Sequence, residues 1–288
     1  MSPKTFDFTD RARDNLVAYR WDPASTPTAA IELVHGMGEH VLRYQHVADA
    51  LTDAGFVVYG YDQRGHGATI GGAEPGQVGA EGWAALVSDI GEFARLIRTE
   101  HPGLRIGLIA HSMGSFASQQ ALLTQSAAFD AVALTGTAAL DLLEPALDLD
   151  APLDLAMFNA AFEPSRTEYD WLSRDDATVD DYVADSLCGF GLDTEATAAM
   201  FAGARALADP DKLAGIRTDL PIYLAVGDQD PVNAGLALFD PLVERLRGAG
   251  LTDVTATVYP GARHEILNET NRAAVIGELI DWLRARLA

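Results

Sequence analysis

The segment IGLIAHSMGSFASQQALL runs from an apolar stretch through Ser112 straight into a helical pattern, a setting in which a serine hydroxyl is lifted clear of a sheet edge. Small residues must flank such a turn because neighbouring backbones crowd it, and Ala110 and Gly114 hold those positions. Ala110 carries one methyl more than the glycine that is commoner there. A serine hydroxyl attacks a carbonyl only when a base removes its proton. Among the seven histidines, His264 follows the last apolar run in VYPGARHEILNE and precedes the C-terminal helical pattern, which puts it at the edge where Ser112 emerges. His111 adjoins the serine but leaves the turn in another direction, so packing or hydrogen bonding is its expected role; His46 and His101 are expected on surface helices or loops. The imidazole in turn needs a carboxylate that fixes its tautomer and balances the charge it gains. AVGDQDPVN offers two, and Asp230 is preferred because Asp228 is expected to lie within the turn itself. Ser112, Asp230 and His264 are therefore the candidate catalytic residues for acyl transfer, the alternative being a serine in an ordinary strand-to-helix loop.

Acyl transfer also develops negative charge on the carbonyl oxygen, which needs preorganised N–H donors. The start of the helix after the serine offers the Met113 N–H, and the glycine-rich turn in HGMGEHVLRY offers that of Met37. As metal ligands, His35, Glu39 and His40 lack the HExxH spacing on a helix, so no metal is expected. In DQRGHG, Asp62, Arg64 and His66 are expected to brace a loop. Neither a GxGxxG nor a phosphate-loop signature occurs, and no cofactor is expected.

These residues sit at the ends of short apolar runs at 29–34, 56–61, 105–110, 131–135, 222–226 and 254–259, each read as a buried strand. Between them lie stretches of helical period, such as Trp83, Leu86, Val87, Ile90, Ala94 and Ile97, or Val275, Ile276, Leu279, Ile280 and Leu283. Alternation of this kind predicts an α/β protein with a mostly parallel sheet covered on both faces. Segments 5–8 and 16–20 read as an antiparallel lead-in pair at one edge. From 138 to 215 the rhythm breaks: two leucine-rich or alanine-rich helical patterns are divided by EPSRTEYDWLSRDDATVDDY, which predicts a helical cap over the ligand-binding edge of the sheet. The expected organisation is a core of residues 1–137 and 216–288 with the cap, 138–215, inserted in it. The order serine, aspartate, histidine is the one expected of the α/β-hydrolase fold.

The chain has 288 residues and is 48% hydrophobic, ample for a sizeable core, and no stretch approaches the roughly 20 apolar residues of a membrane span. The opening segment is charged and lacks the apolar region of a signal peptide, and Cys188 is the lone cysteine, so a reducing, cytoplasmic location is expected. Formal net charge is −22, with Lys4 and Lys212 the only lysines, which argues against nucleic acid as a partner. The acidity fits either solubility in salty surroundings or undirected drift of composition. The segment 138–215 holds 17 acidic residues against Arg166, Arg174, Arg205 and Lys212, so anionic lipid surfaces should repel it and no stable membrane insertion is expected. Its apolar residues Leu140, Leu142, Leu143, Leu147, Leu149, Leu153, Leu155, Met157, Phe158 and Phe162 either line an acyl channel or pack the cap onto the core, packing being the expected role for most.

Taken together, HGMGEHVLRY, YDQRGHG, AHSMG, VGDQDPV and YPGARHEILNE resemble the monoacylglycerol lipase and lysophospholipase branch of the α/β-hydrolases, which includes serine aminopeptidase-like enzymes. SRDDATVDDYVADSLCG is similar to that branch's cap. The resemblance implies a cap over an acyl pocket, cleavage of a single-chain acylglycerol or similar small-molecule ester, and no cofactor. The chain departs from the branch in Ala110 and in its strongly acidic cap. Thioesterase and aminopeptidase activities on the same scaffold remain open, as does a noncatalytic binding protein, which should lack a triad member. Acyl length, head group and oligomeric state are not legible.

Overall fold

A computed structural model describes residues 2–151 and 153–288. Eight strands form one sheet: β1 (Lys4–Thr9), β2 (Asn15–Trp21), β3 (Ala29–Val34), β4 (Phe56–Tyr61), β5 (Ile106–His111), β6 (Ala131–Thr135), β7 (Ile222–Gly227) and β8 (Val254–Tyr259). Their order is β1-β2-β4-β3-β5-β6-β7-β8. The pairs β1·β2 and β2·β4 are antiparallel and every other pair is parallel, so the lead-in pair lies at one edge as expected.

Central strands buried on both faces alternate their side chains between two apolar layers. In β4, Val57, Tyr59 and Tyr61 enter one layer and Phe56 and Val58 the other. The first layer is closed by α2 (Gly79–Glu100), α3 (Met113–Gln125) and α7 (Phe239–Gly248), through side chains such as Phe93, Leu122 and Leu246. The second is closed by α1 (Gln45–Asp53) and α8 (Arg272–Leu287), through Leu51, Val275 and Leu283. The structure is an α/β-hydrolase fold, and its parallel strands all deliver their C-terminal ends to one rim.

Between β6 and β7 the chain leaves the core to build the helical cap: α4 (Asp176–Ala184), α5 (Thr194–Ala204) and α6 (Pro210–Leu213), with short 3₁₀ turns before α4 and between α5 and α6. Two expectations fail here. The leucine-rich first pattern is a series of 3₁₀ turns, at Leu140–Leu142, Glu144–Ala146 and Leu155–Phe162, because prolines and acidic residues interrupt it before an α-helix can propagate. The polar stretch read as a divider holds most of α4, whose first turn is capped by the Asp175 carboxylate accepting the Ala177 N–H. Backbone bonds tie the cap to the rim: Gly189 N–H to the Gly38 carbonyl at 3.0 Å, Glu265 N–H to that of Leu172 at 2.8 Å. The Asp193 carboxylate also accepts the Val78 and Gly79 N–H groups.

Candidate active site

Ser112 lies between the last residue of β5 and the first of α3, with φ 50° and ψ −120°. That backbone conformation is one a side chain rarely adopts, and it projects the hydroxyl off the rim. Its N–H is spent on the Thr135 carbonyl (3.0 Å) and its carbonyl on the Phe116 N–H (2.9 Å), so the turn is pinned from both sides. Gly114 is required by close approach: a Cβ there would stand 2.4 Å from the His35 carbonyl oxygen. Ala110 needs no such space, and its methyl is wholly buried in β5.

His264 reaches the serine from the loop between β8 and α8. Its Nε2 accepts the Ser112 hydroxyl at 2.8 Å, and its Nδ1 donates to Asp230 Oδ2 at 2.9 Å. This pattern puts the ring proton on Nδ1 and leaves Nε2 free to act as base. Asp230 is fully buried, and its other oxygen accepts the Val232 N–H at 2.9 Å, which fixes the carboxylate's rotation. Asp228 instead accepts the Gly261 N–H at 2.7 Å, holding the β7 turn to the loop that carries the histidine. Burial lowers the basicity of His264, but the charge and hydrogen bond of Asp230, with Glu265 and Glu39 behind, outweigh it and raise the pKa above the ordinary histidine value.

The His111 ring lies tilted against that of His264, 4.8 Å between ring centres, and bonds Thr135 Oγ1 at 3.1 Å, the packing role expected of it. Burial, reinforced by the neighbouring His264, pushes it down to about 3, so it stays neutral. His46 lies on α1 and His101 just past the end of α2, the helix and loop settings expected. Both are half-buried, His46 bonded to the Leu267 carbonyl and His101 to the Tyr59 hydroxyl, each at 2.8 Å. Asp62 does brace its loop, accepting N–H groups of Val41 and Ala68, while Arg64 bonds Asp89, Asp14 and Asp10.

Met37 and Met113 line the same pocket as Ser112. The turn after β3 presses on the serine: a Cβ built at Gly36 would stand 3.2 Å from Ser112 Cβ. The rest of the lining is mainly apolar, from Phe116 and Val232 of the core and from Leu140, Leu143, Leu147, Leu153, Leu155, Phe158, Trp171, Met200 and Phe201 of the cap. Six of the ten apolar cap residues singled out from the sequence therefore face the pocket. Leu142 and Met157 are instead exposed, at 41% and 43%. Eight of the ten also belong to, or pack against, the larger buried apolar cluster, so the packing role expected for most is present alongside the lining of the pocket.

Sequence reasoning missed three features. Trp171 covers the imidazole at 5.0 Å; a lone tryptophan in a polar stretch was the available signal. Gly136, at φ +54°, makes room for both rings, since a Cβ there would stand 2.6 Å from His111 Cε1 and 3.0 Å from His264 Cε1. Glu39, Arg43 and Glu265 form a buried bridge beside the triad, with Arg43 forked onto both Glu265 oxygens at 2.6 and 2.8 Å and Glu39 at 2.5 Å. Of the trio weighed as metal ligands, Glu39 is thus engaged by Arg43, His35 receives the Gln63 N–H, and His40 contacts Asp185. Among the described residues, His40, Asp185 and Cys188 bring ligand-type atoms within 4.8 Å of one another, with His40 and Asp185 already hydrogen-bonded at 2.9 Å.

Comparison with known proteins gives a consistent result. The family described as Serine aminopeptidase, S33 (Hydrolase_4) matches residues 25–271. A monoacylglycerol lipase of Mycolicibacterium smegmatis is 30% identical over 273 residues, covering 93% of this chain and 92% of the relative. The monoglyceride lipase of Homo sapiens is 27% identical, covering 93% and 86%. Among solved structures, a thermostable carboxyl esterase from Bacillus coagulans, in complex with glycerol, superposes with a TM-score of 0.89 at 26% identity, covering all of both chains.

Proposed function

The chain belongs to the serine aminopeptidase S33 (Hydrolase_4) family, and from that premise we propose that it is a serine hydrolase of small carboxylic esters, with single-chain acylglycerols or lysophospholipids as the substrate class. One observation carries the reading: a strained serine whose hydroxyl donates 2.8 Å to an imidazole that is itself held by a buried aspartate. Ser112 attacks the ester carbonyl while His264 Nε2 takes its proton, Asp230 balancing the imidazolium that forms. The Met37 and Met113 N–H groups receive the oxyanion. The imidazolium then gives its proton to the leaving alcohol, and an acyl-serine remains. Water, deprotonated by the same imidazole, releases the carboxylic acid and restores the serine.

The aliphatic lining supports an acyl chain rather than an aminoacyl group, because the two carboxylates that border the pocket, Glu39 and Glu265, are already engaged by Arg43. Residues 138–215 would act as the cap that closes over that chain. Among the described residues no helix is long and apolar enough to cross a membrane. A cytoplasmic site of action is supported by the unpaired Cys188.

Fluorophosphonate labelling tests the assignment. Wild type should be labelled and hydrolyse p-nitrophenyl esters, and Ser112→Ala should lose both, with the rate down by about 10⁴ or more. Normal esterase activity in Ser112→Ala would overturn the proposal.

A further inference from the structure

The buried bridge beside the triad joins the two loops that catalysis must keep in register. On the β3 side, Glu39 Oε1 accepts the Gly36 N–H at 2.5 Å and the Tyr44 hydroxyl at 2.7 Å, which fixes the His35–Gly36 peptide, one residue before Met37. On the β8 side, Glu265 is the residue after His264, and its Oε2 also accepts the Asn268 amide at 3.0 Å. Arg43 spans the gap with its planar fork, a geometry an ammonium cannot reproduce. The cap adds the Tyr182 ring, 4.8 Å from the guanidinium carbon. Glu39 and Glu265 are 2% and 3% exposed, and two carboxylates around one guanidinium leave the bridge short of positive charge.

From this geometry we propose that Glu265, held by Arg43, is a positioning residue for ester hydrolysis: it locks the His264 loop against the Met37 loop and places negative charge behind the imidazole. The proposal rests on the serine-hydrolase reading above. It assigns Glu265 no contact with the reacting atoms. Around His264 the charged and titratable groups are Asp230 from the β7 turn, His111 from β5, Glu39 and Arg43 from the segment after β3, and Glu265 from its own loop. From the cap, Trp171 and Tyr182 bring rings and Arg174 is paired with Glu269. His111 stays neutral, and burial with the neighbouring Glu265 raises the Glu39 carboxyl, so the charges that act most directly are Asp230 and Glu265 against Arg43. Burial raises the Glu265 carboxyl, but the charge and forked bonds of Arg43 pull it down to about 2, so it is ionised wherever the enzyme works.

The sign follows. Negative charge near an imidazole stabilises its protonated form, so removing the charge lets His264 lose its proton at lower pH. The base is active only when neutral, and kcat/KM therefore rises with pH through its titration. The experiment measures kcat, KM and fluorophosphonate labelling rate against pH for wild type, Glu265→Gln, Glu265→Asp, Arg43→Lys and Ser112→Ala. In Glu265→Gln the acid limb should move down by about half a unit or more. Its kcat should fall about three- to tenfold, with KM within about twofold. Glu265→Asp should keep the wild-type limb, and Arg43→Lys should lose kcat while keeping it. A wild-type limb and kcat in Glu265→Gln overturn the inference. Should that variant not fold, wild-type kcat in Arg43→Lys overturns it instead. Labelling that persists in Ser112→Ala sinks the functional reading itself, whereas inert Ser112→Ala beside an unperturbed Glu265→Gln removes only the role of the bridge.

Discussion

The pocket has two walls built by different means. On the core side, Ser112, Met113 and His264 stand at strand ends or in loops fixed by buried hydrogen bonds, and Gly136 and Gly114 leave no room for variation. On the cap side, the wall is mostly aliphatic side chains on 3₁₀ turns and short helices, with Leu142 and Met157 turned to solvent and Leu143, Leu147 and Leu153 only half-buried. On the proposed reading distances matter on the first wall, because proton transfer and oxyanion binding need groups within about 2.6–3.2 Å of the reacting atoms. The second wall has only to be apolar and near. Precision and tolerance are thus assigned to separate stretches of chain.

The sharpest way to break the contrast is at the core wall. Asp230→Asn keeps the side chain's shape but removes the charge that balances the imidazolium and favours the wrong tautomer, so kcat on p-nitrophenyl esters should fall by about 10⁴ with the fold intact by circular dichroism. A loss of less than about tenfold would mean that Asp230 does not orient the base. Gly136→Ala should come next. Its φ of +54° and the 2.6 Å approach to His111 force the two rings apart, which should cost about 1–3 kcal/mol of stability and at least about tenfold in kcat. An unchanged melting temperature and kcat would show that the rings have slack. The smallest effect belongs to the cap wall: Leu153→Ala should raise KM for long-chain p-nitrophenyl esters by about three- to tenfold and leave acetate hydrolysis unchanged. Equal effects on all chain lengths would erase the distinction between the walls.

The same division governs what the sequence makes legible. Most of the core strands coincide with the apolar runs, because a strand buried on both faces has to be a continuous apolar stretch and the turns after it have to carry glycine or aspartate. Ser112, Asp230 and His264 were nominated because each follows such a run, and the fold brings the three within hydrogen-bonding distance of one another. The cap was legible as an insertion but not as a set of turns, since 3₁₀ segments leave no period to read. The bridge of Glu39, Arg43 and Glu265 was missed because a buried ion pair joins residues 222 positions apart, and each member alone looks like an ordinary surface charge. Adjacency to His264 is the one local feature that sets Glu265 apart in the sequence.

The backbone at Ser112 has a consequence of its own. At φ 50° and ψ −120°, glycine would be at ease where serine is not, so the hydroxyl is held there against the local preference of the chain. At that one position the most comfortable residue is an inert one, so on the proposed reading reactivity costs a little of the molecule's own resistance to unfolding.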